Sequence, residues 1–122
     1  MNYKISVTKN FSAAHRLREY KGKCENLHGH NWKIKVTFCG TKLDSTGMLI
    51  DFTVIKKHLD KIILYLDHKF LNDIEPFNNI NPTAENLAVF ILEQLKSIET
   101  ENAKACEVAV WESDFSCAEV SI

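Results

Sequence analysis

Residues 24–38 read CENLHGHNWKIKVTF, and their second half decides the fold. His30, Trp32, Ile34, Val36 and Phe38 alternate with Asn31, Lys33, Lys35 and Thr37. Side chains in a strand point to opposite faces with a period of two. The stretch therefore predicts a strand with one buried face, and it places His30 on that face. His28 joins the same face if the strand begins early. Gly29 between them leaves room for close approach by backbone or substrate. Two imidazoles on one side of a strand suit a shared metal, and neutral imidazole favours zinc. A bare His-x-His also arises on ordinary surface turns, so the rest of the chain has to weigh on the reading.

Working back toward the start, Tyr3, Ile5, Val7, Phe11 and Ala13 alternate with Lys4, Ser6, Thr8 and Asn10. This predicts a second half-buried strand, and its parity carries His15 to the apolar face. Two antiparallel strands delivering histidines to one face would gather His15, His28 and His30 into one site. Three protein ligands leave a fourth zinc position open, as in catalytic sites; Cys24 as a fourth ligand would close it. Lys23 and a nearby dication would favour the Cys24 thiolate, a base or nucleophile. The intervening segment 16–27 is too long for a tight hairpin. It carries Arg16, Arg18, Lys21 and Lys23, and reads either as a solvated loop or as an anion-binding rim.

Working forward, Asp51 or Thr53 can cap a helix in which Phe52, Ile55, Leu59, Ile62, Ile63 and Leu66 recur at helical spacing. Asp67-His68 follows its end, where the pair either caps the helix or couples a carboxylate to an imidazole for proton transfer. A polar connector with two prolines spans 72–82. Thr83 caps a second helix, Glu85 favours its first turn, and Leu87, Ala88, Ile91, Leu95 and Ile98 form its stripe. Two strands close the chain, one with Cys106, Val108 and Val110 on the apolar face and the other over 115–122. Glu112 shares that parity. It stands either at solvent just past the core or facing a ligand with paired N–H donors.

The order β-β-α-α-β-β predicts an α+β domain spanning 1–122: an antiparallel four-stranded sheet with two helices on one face. At 122 residues, one domain is expected. The net charge of −1 gives no basic field for nucleic acid or membrane. No stretch approaches the ~18 apolar residues of a membrane span. Cys24, Cys39, Cys106 and Cys117 are widely spaced, and the first residues lack the apolar core of a secretory leader. Reduced thiols in the cytoplasm are the expectation. Sheet edges on so small a chain favour self-association.

Phe11-Ser12-Ala13-Ala14-His15, Cys24-x3-His28-Gly29-His30, Asp67-His68, Pro82-Thr83-Ala84-Glu85-Asn86 and Glu112, in this order, resemble the 6-pyruvoyl-tetrahydropterin synthase family. The resemblance runs over the whole chain. It implies the tunnelling fold, with trimers closing a β-barrel and two trimers stacking into a hexamer. It implies zinc on His15, His28 and His30, a catalytic set of Cys24, Asp67 and His68, and pterin contacts from Glu112, Thr83 and Glu85. The three-residue gap between Cys24 and His28 looks like the bacterial 6-carboxy-tetrahydropterin synthase branch of queuosine biosynthesis. That branch implies 7,8-dihydroneopterin triphosphate as substrate. A pyruvoyl-forming synthase and a non-catalytic zinc-stabilised pterin-binding domain are the alternatives.

Overall fold

The computed structural model describes residues 1–19, 25–98 and 100–122. Cys24, Lys21 and Lys23 lie outside the described residues. Strand β1 spans Tyr3–His15 and β2 spans His28–Gly40. Helix α1 spans Phe52–Leu66, α2 spans Ala84–Leu95, β3 spans Lys104–Ser113 and β4 spans Ser116–Ser121. The sheet is antiparallel throughout, in the order β1-β2-β3-β4. Both helices cover the same face, α1 over β1 and α2 over β3 and β4.

The alternation in the sequence becomes the core. Trp32, Ile34, Val36 and Phe38 of β2 are fully buried, and Val7, Phe11 and Ala13 of β1 lie beside them. Ile55, Leu59, Ile62 and Leu66 come down from α1, and Leu87, Ala88, Ile91, Leu92 and Leu95 from α2. Each large side chain so buried contributes about 1.5–3 kcal/mol. Two members of the predicted α1 stripe fall short: Phe52 is about half exposed and Ile63 only partly buried. Phe52 is the first residue of the helix. Asp51 caps α1, its carboxylate accepting from the Thr53 N–H at 2.8 Å.

The cysteine expectation is corrected. Cys39 and Cys106 are joined in a disulfide between β2 and β3, with Cα atoms 5.9 Å apart. Among the described residues Cys117 is free. Sequence separation hid the pair, because 67 residues of chain fold back to make the two strands neighbours. A bulge is also responsible. The register shifts between Thr37 and Phe38, so Thr37 faces Glu107 while Phe38 faces Ala105. Ala105 thereby takes the core position that strand parity gives to Cys106, and Cys106 is the extra residue.

The connector after α1 is ordered by its contacts. Residues Leu71–Asp73 form one 3-10 turn and Phe77 is fully buried. The segment 67–70 lies along the outer edge of β1. His68 N–H donates to Ser12 O at 2.6 Å and Ala14 N–H to Lys69 O at 3.0 Å.

Candidate metal centre

Register gathers the histidines. His15 stands directly opposite His28, and Ala13 opposite His30, in the β1–β2 ladder. Since both strands keep their alternation to these ends, the three imidazoles emerge on the helix-covered face. Ring centroids are 4.7 Å apart for His15–His28 and for His28–His30, and 5.0 Å for His15–His30. Trp32 is the floor. Its ring packs edge-on to His15 at 5.0 Å and to His30 at 5.2 Å, and its Nε1–H donates to Ala13 O at 3.2 Å. One ligand atom from each of His15, His28, His30 and Glu112 falls within 4.8 Å of every other, so this group could hold a metal ion.

The hydrogen bonds test that reading. His15 Nδ1 lies 2.7 Å from Pro82 O, and His28 Nδ1 lies 2.8 Å from Asn26 O. A carbonyl only accepts, so both Nδ1 atoms carry protons and both Nε2 atoms are left to bind. Those two Nε2 atoms face each other at 3.1 Å. Two lone pairs so placed repel unless a proton or a cation lies between them. Tetrahedral zinc, with Zn–N near 2.1 Å, holds nitrogen ligands about 3.4 Å apart. His30 Nε2 is buried and, among the described residues, has no hydrogen-bond partner; Glu112 Oε1 is 3.0 Å away but poorly aligned. Burial, reinforced by His15 and His28, holds the His30 imidazole below its ordinary pKa against the upward pull of Glu112. This donor set fits a metal ion.

Glu112 sits where the β3–β4 register shifts, between Trp111 and Ser113. Its parity brings it to the histidine face, half-exposed, beside His30. Parity alone could not tell solvent from site; the site is what it meets.

Asp67 and His68 lie elsewhere on the same edge. Asp67 is the C-cap of α1, and its Oδ1 accepts from Ser12 N–H at 2.9 Å and lies 3.0 Å from His68 Nδ1. The Ser12 N–H, chiefly, and the His68 contact hold this carboxyl below the usual carboxylate range. Capping and a carboxylate–imidazole pair therefore coexist. His68 adopts the left-handed region, φ +58°, uncommon for a side chain other than glycine, and its ring is largely exposed. His68 and His30 both line an open groove of about 490 Å³ that also takes in Ser12, Ala14, Gly29 and Asn31. Gly29 is not forced by a crowded backbone, since a Cβ there would come no closer than 3.9 Å to Ala13 O. Thr83 is the N-cap of α2, its Oγ1 accepting from Asn86 N–H at 3.1 Å, and Glu85 is exposed in the first turn.

The basic rim loses one member. Arg18 gives its guanidinium to the carbonyls of Phe77, Ile80 and Asn72, at 2.7, 3.2 and 3.3 Å. Its charge is tied to the connector rather than offered to an anion. Four partners escaped sequence reasoning: the Pro82 and Asn26 carbonyls, Trp32 as a floor, and the contact between Glu112 and His30. Only the parity of Glu112 and Trp32 was legible beforehand.

Comparison with known proteins identifies the family and the fold. The family model described as 6-pyruvoyl tetrahydropterin synthase matches residues 4–122. The 6-carboxy-5,6,7,8-tetrahydropterin synthase of Synechocystis sp. is 37% identical over 103 residues, covering 80% of this chain and 78% of that protein. The 6-pyruvoyl tetrahydrobiopterin synthase of Poecilia reticulata is 39% identical over 105 residues, covering 75% and 71%. The solved structure of Caenorhabditis elegans 6-pyruvoyl tetrahydropterin synthase superposes with a TM-score of 0.87 at 31% identity, covering 100% of this chain and 96% of that one.

Proposed function

Since the chain belongs to the 6-pyruvoyl tetrahydropterin synthase family, we propose that it is a zinc-dependent lyase of the 6-carboxy-tetrahydropterin branch, acting in queuosine biosynthesis. It converts 7,8-dihydroneopterin triphosphate and one water into 6-carboxy-5,6,7,8-tetrahydropterin, acetaldehyde and triphosphate. The observation that carries the reading is the trio of imidazoles, two with Nδ1 pinned to carbonyls and the third with a buried, unpartnered Nε2.

In this proposal His15, His28 and His30 hold the zinc, which supplies Lewis-acid polarisation of the substrate's side-chain hydroxyls. Cys24 removes a carbon-bound proton as general base. His68, oriented through Nδ1 by the Asp67 carboxylate, carries protons to and from the substrate. Glu112 anchors the aminopyrimidinone edge of the pterin by charge-assisted hydrogen bonds, and Thr83 and Glu85 add pterin contacts. Glu112 is read as an anchor rather than a fourth ligand, because a carboxylate on the metal would fill the position the substrate needs.

The 122 residues act as one domain, assembled as a dimer of trimers in the cytoplasm. Among the described residues no helix is long and apolar enough to cross a membrane. The Cys39–Cys106 bond is the observation against the location, because disulfides are rare there.

The second reading, a pyruvoyl-forming synthase, is favoured by the similarity to the Poecilia reticulata protein. One incubation of the zinc-loaded protein with 7,8-dihydroneopterin triphosphate separates them. Mass analysis should show the 6-carboxy product and acetaldehyde. A 6-pyruvoyl product without acetaldehyde would establish the second reading, and unchanged substrate would leave a binding domain.

A further inference from the structure

Two asparagines beside the metal centre have no part in the chemistry above. Past His15, the chain is met by their side chains in place of a neighbouring strand. Asn72 Oδ1 accepts from Arg16 N–H at 3.0 Å, and its Nδ2 donates to Arg16 O at 2.8 Å. Asn81 repeats the clamp on Arg18, at 2.8 and 3.0 Å. Asn81 is also held from behind, its carbonyl accepting from Asn86 Nδ2 at 2.8 Å and from Thr83 N–H at 2.9 Å. The Arg18 guanidinium adds its bond to Ile80 O, one residue before Asn81.

What links the Asn81 clamp to the metal centre is the next residue. Asn81 is followed by Pro82, a buried residue whose ring fixes φ and whose carbonyl accepts from His15 Nδ1 at 2.7 Å. Asn72 has no such neighbour. A carbonyl that receives the outer N–H of a metal-bound imidazole sets its tautomer and aims the opposite nitrogen. We propose that Asn81, fastened to the backbone of Arg18, is a positioning residue for the metal centre, acting through the Pro82 carbonyl on His15.

The proposal rests on the metal reading of His15, His28 and His30. It places the control of metal affinity partly in a side chain that never touches the ion. It also gives the arginine of the β1–β2 loop a task, since Arg18 ties that loop to the segment supporting His15.

The test measures zinc affinity of the full chain by competition with a chromophoric chelator, and the melting temperature of each metal-free protein. Asn81→Ala should weaken zinc by up to about 10-fold, the low end of the effect of losing an outer-shell partner, because the Pro82 carbonyl itself remains. Asn72→Ala removes the matching pair of hydrogen bonds and should lower the metal-free melting temperature, with zinc affinity close to the wild-type value. Cobalt substituted for zinc should show an altered d–d absorption in Asn81→Ala and an unaltered one in Asn72→Ala. Equal weakening in both variants would overturn the proposal, as would wild-type affinity in Asn81→Ala. If Asn81→Ala fails to fold, Asn81→Asp keeps the acceptor for Arg18 N–H but sets a charged carboxylate oxygen against Arg18 O in place of the donor. It should weaken zinc in the same direction, and wild-type affinity there would overturn the proposal. His28→Ala reports on the premise: undiminished zinc binding in that variant would remove the metal centre, and the proposal with it. Zinc loss in His28→Ala beside wild-type affinity in Asn81→Ala would overturn the positioning role alone.

Discussion

Glu112 stands 3.0 Å from a histidine that is itself a candidate ligand, so its role turns on what its carboxylate binds. As a pterin anchor it is not needed for the metal. Glu112→Gln should keep zinc content by elemental analysis and raise KM for the pterin. A hydrogen bond to a charged group is worth about 1.5–3 kcal/mol, so the rise should be roughly 10–100-fold. Loss of zinc in that variant would make Glu112 a ligand instead. Cys24 poses a matching question of role. As general base, its replacement in Cys24→Ala should leave zinc and melting temperature unchanged and slow turnover by about 10²–10⁴-fold. Wild-type turnover would end the catalytic assignment, whatever the zinc content.

Secondary-structure ends deliver most of the remaining groups. Asp67 closes α1 and at once orients His68, so its charge matters to stability as well as to chemistry. The folded state lowers its pKa, chiefly through the Ser12 N–H. The carboxylate therefore stabilises the fold at pH values above its unfolded pKa, near ~3.9, and that contribution fades as pH falls through the lower folded value. Compared with wild type, Asp67→Asn should show a melting-temperature deficit that is constant near neutrality and shrinks below about pH 4. A deficit that grows toward acid would reverse the assignment. Thr83 opens α2, and loss of such a cap costs about 1 kcal/mol, readable as a lower urea midpoint in Thr83→Ala. The proposed pterin contact adds a second expectation, a raised KM; a lowered midpoint with KM unmoved would leave Thr83 a cap alone.

At the scale of the molecule, the sheet covers one face with helices and leaves the other to residues of mixed character. On that open face Lys33 lies over the Trp111 ring at 4.3 Å, and Ser6 and Thr37 share a hydrogen bond of 3.0 Å. The β3–β4 turn exposes Phe115 almost completely. Open strand edges and an exposed aromatic are costs that association removes. Light scattering at micromolar concentration should give a hexamer. A stable 14.0 kDa monomer would count against the proposed assembly.

The strand and helix patterns were legible because they are local. A period of two placed His15, His28, His30 and Glu112 on one face, and a period of 3.6 chose Leu59, Leu66, Leu87 and Ile91 for the core. Asp51 and Thr83 announced their helices because a cap bonds only two or three residues ahead. What stayed hidden depends on partners far along the chain. The bulge opposite Thr37 exchanged Ala105 for Cys106 in the core, and the meeting of β2 with β3 made Cys39 a partner for Cys106. Pro82 reaches His15 across 67 residues, and Arg18 reaches Asn81 across 63. Sequence periodicity determines which way a side chain faces. Register and long-range hydrogen bonding decide what it meets there, since both are set by the packing of whole elements against one another.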